Sequence, residues 1–122
     1  MFFPVSGWFA AFALTLVVEL PIAAWLLRRA EPDVVRRVAL IGYANLATHL
    51  AVWYVFSQLF LIGTIQYVLA AEAWAIGAEA VFFLVAFRGL GLGRAFGIAL
   101  VANVVSFAIG RIVDGIFPEV FR

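Results

Sequence analysis

The residues of this sequence best suited to chemistry are polar side chains that interrupt long apolar stretches. They occur one or two to a stretch: Glu19, Asn45, His49, Glu79 and Asn103. An ionisable side chain at the centre of a lipid bilayer costs roughly 2.5–3.5 kcal/mol on scales derived from membrane insertion, so it usually marks a functional site. Carboxyl and imidazole groups exchange protons and bind cations, and amides can orient them. These five residues are therefore candidates for binding a proton, a cation or a small ligand.

The composition indicates an integral membrane protein. Of the 122 residues, 67% are hydrophobic and only 12% are charged, whereas about a quarter of the residues in a soluble domain are charged. We therefore expect one membrane domain spanning residues 1–122, with the lipid bilayer as its surroundings. The net charge is +1, and the arginines flank apolar segments instead of forming a basic face, so no nucleic-acid partner is expected. The chain has no cysteine, which excludes disulfides and thiolate metal sites.

Four apolar stretches are long enough to cross a bilayer. The predicted spans are residues 5–27, 38–62, 64–87 and 95–117. Each exceeds the roughly 20 residues that a helix needs to cross a hydrocarbon core of about 30 Å. Spanning backbone must satisfy its own hydrogen bonds, so we expect helices, and short loops predict an all-α, up-down four-helix bundle. Small residues are expected where the helices touch: Ala73, Gly77, Ala80, Gly97, Ala102 and Gly110.

The arginines predict how the bundle is oriented. Six of them lie in or beside the first and third loops, namely Arg28, Arg29, Arg36, Arg37, Arg88 and Arg94. Cytoplasmic loops carry an excess of basic residues, so we expect both of these loops in the cytoplasm and both termini on the outer, periplasmic side. Arg111 lies within the fourth span, three residues before Asp114, and this spacing predicts a local ion pair.

This orientation gives each polar residue a depth. The five candidates fall in one intramembrane polar layer, roughly 2–8 Å to the cytoplasmic side of the midplane at 1.5 Å per residue. Glu72 precedes Glu79 by two turns on one helix face, which makes it a possible outer relay step. Pro21 predicts a kink beside Glu19. Secondary polar contacts are expected from Thr15, Thr48 and Ser106.

Less specific interpretations of the layer remain open. Intramembrane Asn, Ser and Thr side chains often serve as hydrogen-bonding contacts between helices, worth about 0.6 kcal/mol each. His49 can be a packing residue, and neutral Glu19 and Glu79 can be donors in a purely structural network. Glu19, His49 and Glu79 are weak candidates for a metal site, because no spacing typical of metal ligands is present. Nothing in the spacing links Ser106 and His49 into a hydrolase, so we expect no catalytic residues and no cofactor.

The motifs that contain these residues resemble a known group of proteins. They are Glu19-Leu-Pro21, Asn45-Leu-Ala-Thr-His49, Glu79-Ala and Asn103-Val-Val-Ser-Phe-Ala-Ile-Gly110. Over nearly its whole length the chain resembles an uncharacterised family of small four-helix bacterial membrane proteins. Members of that family often carry Pro after the Thr-His or Thr-Asn pair, where this chain has Leu50. The resemblance implies a multi-pass protein of the bacterial inner membrane and implies no mechanism.

Two classes of function follow from these observations. In the first, the polar layer supports proton- or cation-linked transport or binds a small ligand. Four helices would surround a pathway poorly, so this class predicts a homo-oligomer. In the second, the chain is a non-catalytic accessory or structural subunit of a larger membrane complex, and the layer holds its helices together. The excess of carboxyl groups at one depth, with no Lys or Arg beside them, favours the first class.

Overall fold

Four long helices make up the part of the chain that the structure describes. The structure is a computed structural model that describes residues 5–121, and the side chains of residues 7–121. The helices are α1 (Val5–Leu26), α2 (Val34–Leu59), α3 (Ile65–Ala86) and α4 (Leu92–Ile116). At 1.5 Å per residue their lengths are about 33–39 Å, and all four are long and apolar enough to cross a membrane. The prediction of an all-helical chain with four helices long and apolar enough to span a membrane is confirmed over the described residues, which contain no strand.

Two helices begin earlier than predicted, and in one of them, α2, a capping residue explains the shift. Helix α2 begins at Val34 instead of residue 38, because Asp33 caps it: its Oδ1 accepts hydrogen bonds from the backbone amides of Val35 (3.0 Å) and Arg36 (3.3 Å). Arg36 therefore lies in the helix, and its guanidinium pairs with Glu31 at 3.4 Å. Helix α4 likewise begins at Leu92 instead of residue 95.

Helix α2 changes geometry close to the polar layer. Its residues Val34–Ala51 are α-helical, Val52–Phe56 form a π-helical turn, and Ser57–Leu59 return to α-helix. A π turn leaves backbone carbonyls displaced from their usual partners. The Ser57 hydroxyl donates to the Trp53 carbonyl (2.6 Å), and the Tyr67 hydroxyl of α3 donates to the Val52 carbonyl (3.3 Å). A side chain from the neighbouring helix thus supports the turn.

Two glycines allow the short connections after α2 and α3. Gly63 has a φ of 89° and Gly89 has a φ of 76°, both in the left-handed region that side-chain-bearing residues rarely adopt.

The helices pack in a closed ring. Helix α1 packs against α2 and α4, and α3 packs against the same two helices. We call the end of the bundle that carries the α1–α2 and α3–α4 loops the Arg-bearing end, and the opposite end, with the α2–α3 turn, the terminal end. The Arg-bearing half is filled by a hydrophobic core whose largest fully buried members are Leu27, Ile41, Phe83 and Phe87.

Alanines make the close contacts between the helices. Ala80, Ala99 and Ala102 are buried as small interface residues should be. The expectation for the other positions was wrong. Ala73 is exposed, and a Cβ atom added to Gly77, Gly97 or Gly110 would meet nothing within 4 Å, so those glycines are not sites of close helix approach.

Candidate functional site

A cavity of about 600 Å³ lies along the axis of the bundle, and all four helices line it. We call it the central cavity. Its deep end contains Glu19, Glu79 and Asn103, and its other end reaches Gly63 and Asp114 at the terminal end of the bundle. Asp114 is eleven residues farther along α4 than Asn103, which makes the cavity about 16 Å deep. The hydrophobic core lies beyond the deep end, so the cavity opens toward one end of the bundle.

Glu79 is the centre of the hydrogen bonding in the polar layer. Its side chain is buried, with 1% of its surface exposed. Its Oε1 atom lies 3.2 Å from the hydroxyl of Thr48 on α2, and its Oε2 atom accepts a hydrogen bond from Nδ2 of Asn103 on α4 (2.8 Å). Asn103 Nδ2 also donates to the Ala99 carbonyl (2.8 Å), so both hydrogens of that amide are used. Glu79 therefore links three helices at one depth.

The surroundings of Glu79 suit both of its protonation states. A Thr hydroxyl carries a single hydrogen, yet Thr48 Oγ1 lies 3.0 Å from the Ala44 carbonyl as well as 3.2 Å from Glu79. When Thr48 donates to Glu79, the carboxylate accepts two hydrogen bonds. When Thr48 donates to Ala44, its oxygen is free to accept from a protonated Glu79. Glu79 can thus gain or lose a proton through rotation of one hydroxyl, with no movement of a helix.

Glu19 contributes a second buried carboxyl group from α1. Only 3% of its surface is exposed. The hydroxyl of Ser106 on α4 and the carboxyl group of Glu79 are both near enough to interact with it electrostatically. The second oxygen, Oε2, is buried and has no partner among the described residues. Two carboxyl groups held near each other in a low-dielectric setting repel when both are ionised, so a proton or a cation between them is stabilising.

Asn45 lines the cavity but does not bond to either glutamate. Its Nδ2 donates to the Ile41 carbonyl one turn earlier (3.0 Å). A carbonyl oxygen only accepts, so this bond fixes the orientation of the amide. The Oδ1 atom is left buried without a partner among the described residues.

His49 lies in a cluster of aromatic rings. Its imidazole centroid is 5.5 Å from that of Phe12, 6.1 Å from that of Trp53 and 6.3 Å from that of Trp8. Its Nδ1 atom is buried with no partner in the described part of the chain. The ring is therefore positioned by packing, while its polar atoms are not engaged by the glutamates.

The walls nearer the terminal end carry further charged groups. Glu72 lines the same cavity as Glu79, and its role as an outer relay step stays a prediction. Arg111 and Asp114 also line it. The prediction that their two side chains form an ion pair was wrong. Over residues 7–121 the salt bridge that forms is the one between Arg36 and Glu31.

Three other residues singled out in the sequence are Thr15, Pro21 and Ser106. Thr15 and Ser106 line the cavity, on α1 and α4 respectively. Helix α1 continues through Pro21 without a break in its helical structure. The kink beside Glu19 stays a prediction.

The acidic residues and His49 do not form a metal-binding cluster. Among the described residues, no three His, Asp or Glu side chains lie together in an arrangement that could hold a metal ion. The weak candidates Glu19, His49 and Glu79 thus share a cavity without forming a ligand set for a resident metal ion.

Two features of the site were not predicted from the sequence. The first is the π turn, for which the aromatic and β-branched run Val52–Phe56 gives no specific signal. The second is the inward placement of Tyr67, which lines the cavity although its position near a span end is typical of an interfacial aromatic. Its spacing from Glu72 and Glu79 along α3, five and twelve residues, gave no hint of this placement, because it turns Tyr67 about 120–140° away from them around an ideal helix.

No known family model matches this chain, and no curated protein or solved structure shows detectable similarity to it. The function must therefore be argued from the cavity itself.

Proposed function

We propose that this chain is a multi-pass protein of the bacterial inner membrane that binds a small cation in the central cavity and exchanges it for protons, as a step in transport. The observation that carries the proposal is the charge of the lining. Four acidic side chains, Glu19, Glu72, Glu79 and Asp114, line one cavity, and Arg111 is the single arginine among the lining residues described.

The deep end of the cavity favours a positively charged occupant. Glu19 and Glu79 are buried there, and no Arg or Lys side chain accompanies them. Arg111 lies eight residues, or about 12 Å, farther along α4 than Asn103. A buried carboxylate with no positive partner is costly, and this cost disappears when the group binds a cation or takes up a proton.

Proton exchange is supported by the hydrogen bonds of Glu79. The Thr48 hydroxyl and the Asn103 amide satisfy the group in its charged form, and the same two partners satisfy its neutral form. Where a proton and a cation compete for one site, the carboxyl group must be able to adopt its charged and its neutral form without unfolding of the protein. Glu72, two turns toward the terminal end, gives protons an intermediate stop about 10 Å away.

The shape of the cavity suggests a direction of access. With the Arg-bearing loops in the cytoplasm, as we propose from the positive-inside rule, the cavity faces the periplasm. Completion of a transport cycle then requires the core around Phe83 and Phe87 to open. One chain surrounds this cavity, so the proposed binding step does not need the homo-oligomer expected from the sequence.

A second candidate function is an accessory subunit of a larger membrane complex. The specific observation in its favour is that Glu79 bonds to side chains of both α2 and α4, which is what a structural contact between helices requires. In this alternative the layer stabilises the fold and exchanges nothing.

Proton release on cation binding distinguishes the two functions. The purified protein in lipid nanodiscs is placed in weakly buffered solution with a pH indicator, and sodium, potassium or 2-phenylethylammonium chloride is added. We expect the parent to release protons with at least one cation, and Glu79→Gln and Glu19→Gln to release fewer. Glu119→Gln, at an exposed position outside the cavity, makes the same charge change and should behave as the parent.

The glutamine variants are suitable because glutamine retains one donor and one acceptor at the position of the carboxyl group. Their assembly is checked by size-exclusion chromatography and circular dichroism. If both variants assemble and release as many protons as the parent, or if the parent releases none with any cation, proton-linked cation binding is ruled out. The accessory function is then the better explanation.

A further inference from the structure

The central cavity contains buried hydrogen-bond acceptors that the protein itself does not satisfy. Glu19 Oε2 and Asn45 Oδ1 are both buried without a partner among the described residues, on side chains that are 3% and 2% exposed. Both residues line the cavity. Buried polar atoms are nearly always hydrogen-bonded, so atoms left unpaired beside a cavity point to a partner that enters it. That partner must supply hydrogen-bond donors.

The size of the cavity argues against a bare inorganic ion. Its volume of about 600 Å³ lies within the range of roughly 300–1,000 Å³ that is usual for sites of organic ligands. The described acidic and imidazole groups also form no metal-binding cluster. The occupant therefore has a body of several carbon atoms.

The walls of the cavity match an apolar, aromatic body. The side chains of Trp53, Tyr67, Phe107 and Phe121 line it together with aliphatic residues. Aromatic faces attract cations and pack well against other rings. These rings lie on the terminal side of the polar layer, while the acceptors lie at the deep end.

We propose that the ligand of the central cavity is a primary ammonium compound with an aromatic or similarly apolar body. Its charged head lies at the deep end and donates to Glu19 and Asn45, and its body lies along the aromatic wall. This inference rests on the proposed function and names the chemical class of the cation. A primary ammonium carries three N–H donors, whereas a quaternary ammonium of the same body carries none and leaves both acceptors unpaired.

Three probes that share one body test the proposal. Isothermal titration calorimetry on the parent protein in nanodiscs compares 2-phenylethylammonium, its N,N,N-trimethyl derivative and neutral 2-phenylethanol. We expect the primary ammonium to bind at least tenfold more tightly than either of the others. This comparison needs no variant, so it does not depend on whether a substituted protein folds.

Substitutions then locate the charged head. Glu19→Gln should reduce the preference for 2-phenylethylammonium over 2-phenylethanol at least tenfold, and Glu119→Gln should leave that preference unchanged. Equal binding of all three probes, or tighter binding of the trimethyl compound, overturns the proposal. So does an unchanged preference in Glu19→Gln.

The outcome also separates this inference from the proposed function. If sodium or potassium causes proton release and the phenylethyl probes do not bind, the ligand class is wrong while proton-linked cation binding stands. If no cation causes proton release and the probes do not bind, both are wrong. If the buried acceptors are satisfied by water alone, the three probes show no difference in affinity.

Discussion

At the scale of single residues, Glu79 is the side chain whose environment is most informative. A structural contact needs one stable arrangement of donors and acceptors, whereas a proton-exchanging group needs two. Thr48 provides the second arrangement because its hydroxyl can turn between Glu79 and the carbonyl of Ala44. Glu19 differs, since one of its oxygens is unpaired within the described chain. The two glutamates therefore differ in how fully the described chain satisfies their oxygen atoms.

This difference predicts how the fold responds to substitutions around Glu79. Glu79→Gln retains a donor and an acceptor, so it should lower the free energy of unfolding by less than the roughly 1 kcal/mol that one hydrogen bond contributes. Asn103→Leu removes the donor to Glu79 Oε2 and should cost about 0.6–1.7 kcal/mol, the range for hydrogen bonds between membrane helices. Unfolding in mixed detergent micelles measures both.

Val104→Leu serves as the control for the second variant, because Val104 is an exposed neighbour on the same helix. If Asn103→Leu is as stable as Val104→Leu, the bond to Glu79 contributes nothing to the fold.

At the scale of elements, the π turn of α2 brings the helix backbone itself into the site. Its residues Val52 and Trp53 line the cavity, and the Val52 carbonyl depends on the hydroxyl of Tyr67. Single π turns within α-helices frequently occur at functional sites. The turn begins three residues after His49 and contains Trp53, whose ring packs against the imidazole of His49.

Tyr67→Phe tests this support. Loss of the hydroxyl should destabilise the protein by about 0.5–1.5 kcal/mol and accelerate hydrogen exchange at the backbone amides of residues 52–57. Tyr43→Phe is the matched control, because Tyr43 is exposed and is not hydrogen-bonded to Val52. Identical exchange in the two variants would show that the π turn is stable without Tyr67.

The start of α2 gives a test at the opposite end of the same helix. Asp33→Ala removes the oxygen that accepts from the amides of Val35 and Arg36, and it should lower the free energy of unfolding by about 1 kcal/mol. Asp33→Asn should lower it little, because Asn caps helices equally well. Hydrogen exchange in the first turn of α2 reports the effect. Equal loss of protection in both variants would contradict a capping role.

At the scale of the whole molecule, the bundle is packed at one end and hollow toward the other. Composition and segment length were sufficient to predict four helices, because the membrane leaves few alternatives for an apolar chain. The position of each polar residue along its helix axis was also predictable, since every residue adds a fixed rise.

Rotation of the helices was not predictable from the sequence. The sequence alone does not indicate which side of each helix faces the axis of the bundle. The pairing of Glu79 with Thr48 and Asn103, and the separate placement of Asn45 and His49, therefore emerged only from the packing. Arg111 and Asp114 were expected to pair with each other; both line the cavity, and no ion pair forms between them.

A ligand that binds beside Glu19 and Glu79 must reach them from the terminal end of the bundle. The chain has no cysteine, so a single introduced thiol reports access. Gly110→Cys places the thiol in the cavity one turn beyond Ser106, where a Cβ atom meets nothing within 4 Å. Gly97→Cys is the matched control on the same helix, because Gly97 lies outside the central cavity and also has free space.

The most direct measurement is the rate at which a membrane-impermeant thiol reagent modifies these two variants in sealed vesicles, with a C-terminal tag identifying the terminal side. We predict that Gly110→Cys reacts when the reagent is added on the terminal side, that Gly97→Cys does not, and that 2-phenylethylammonium slows the reaction. Reaction of Gly110→Cys only from the Arg-bearing side, or from neither side in a folded protein, would contradict a ligand-binding cavity that opens at the terminal end.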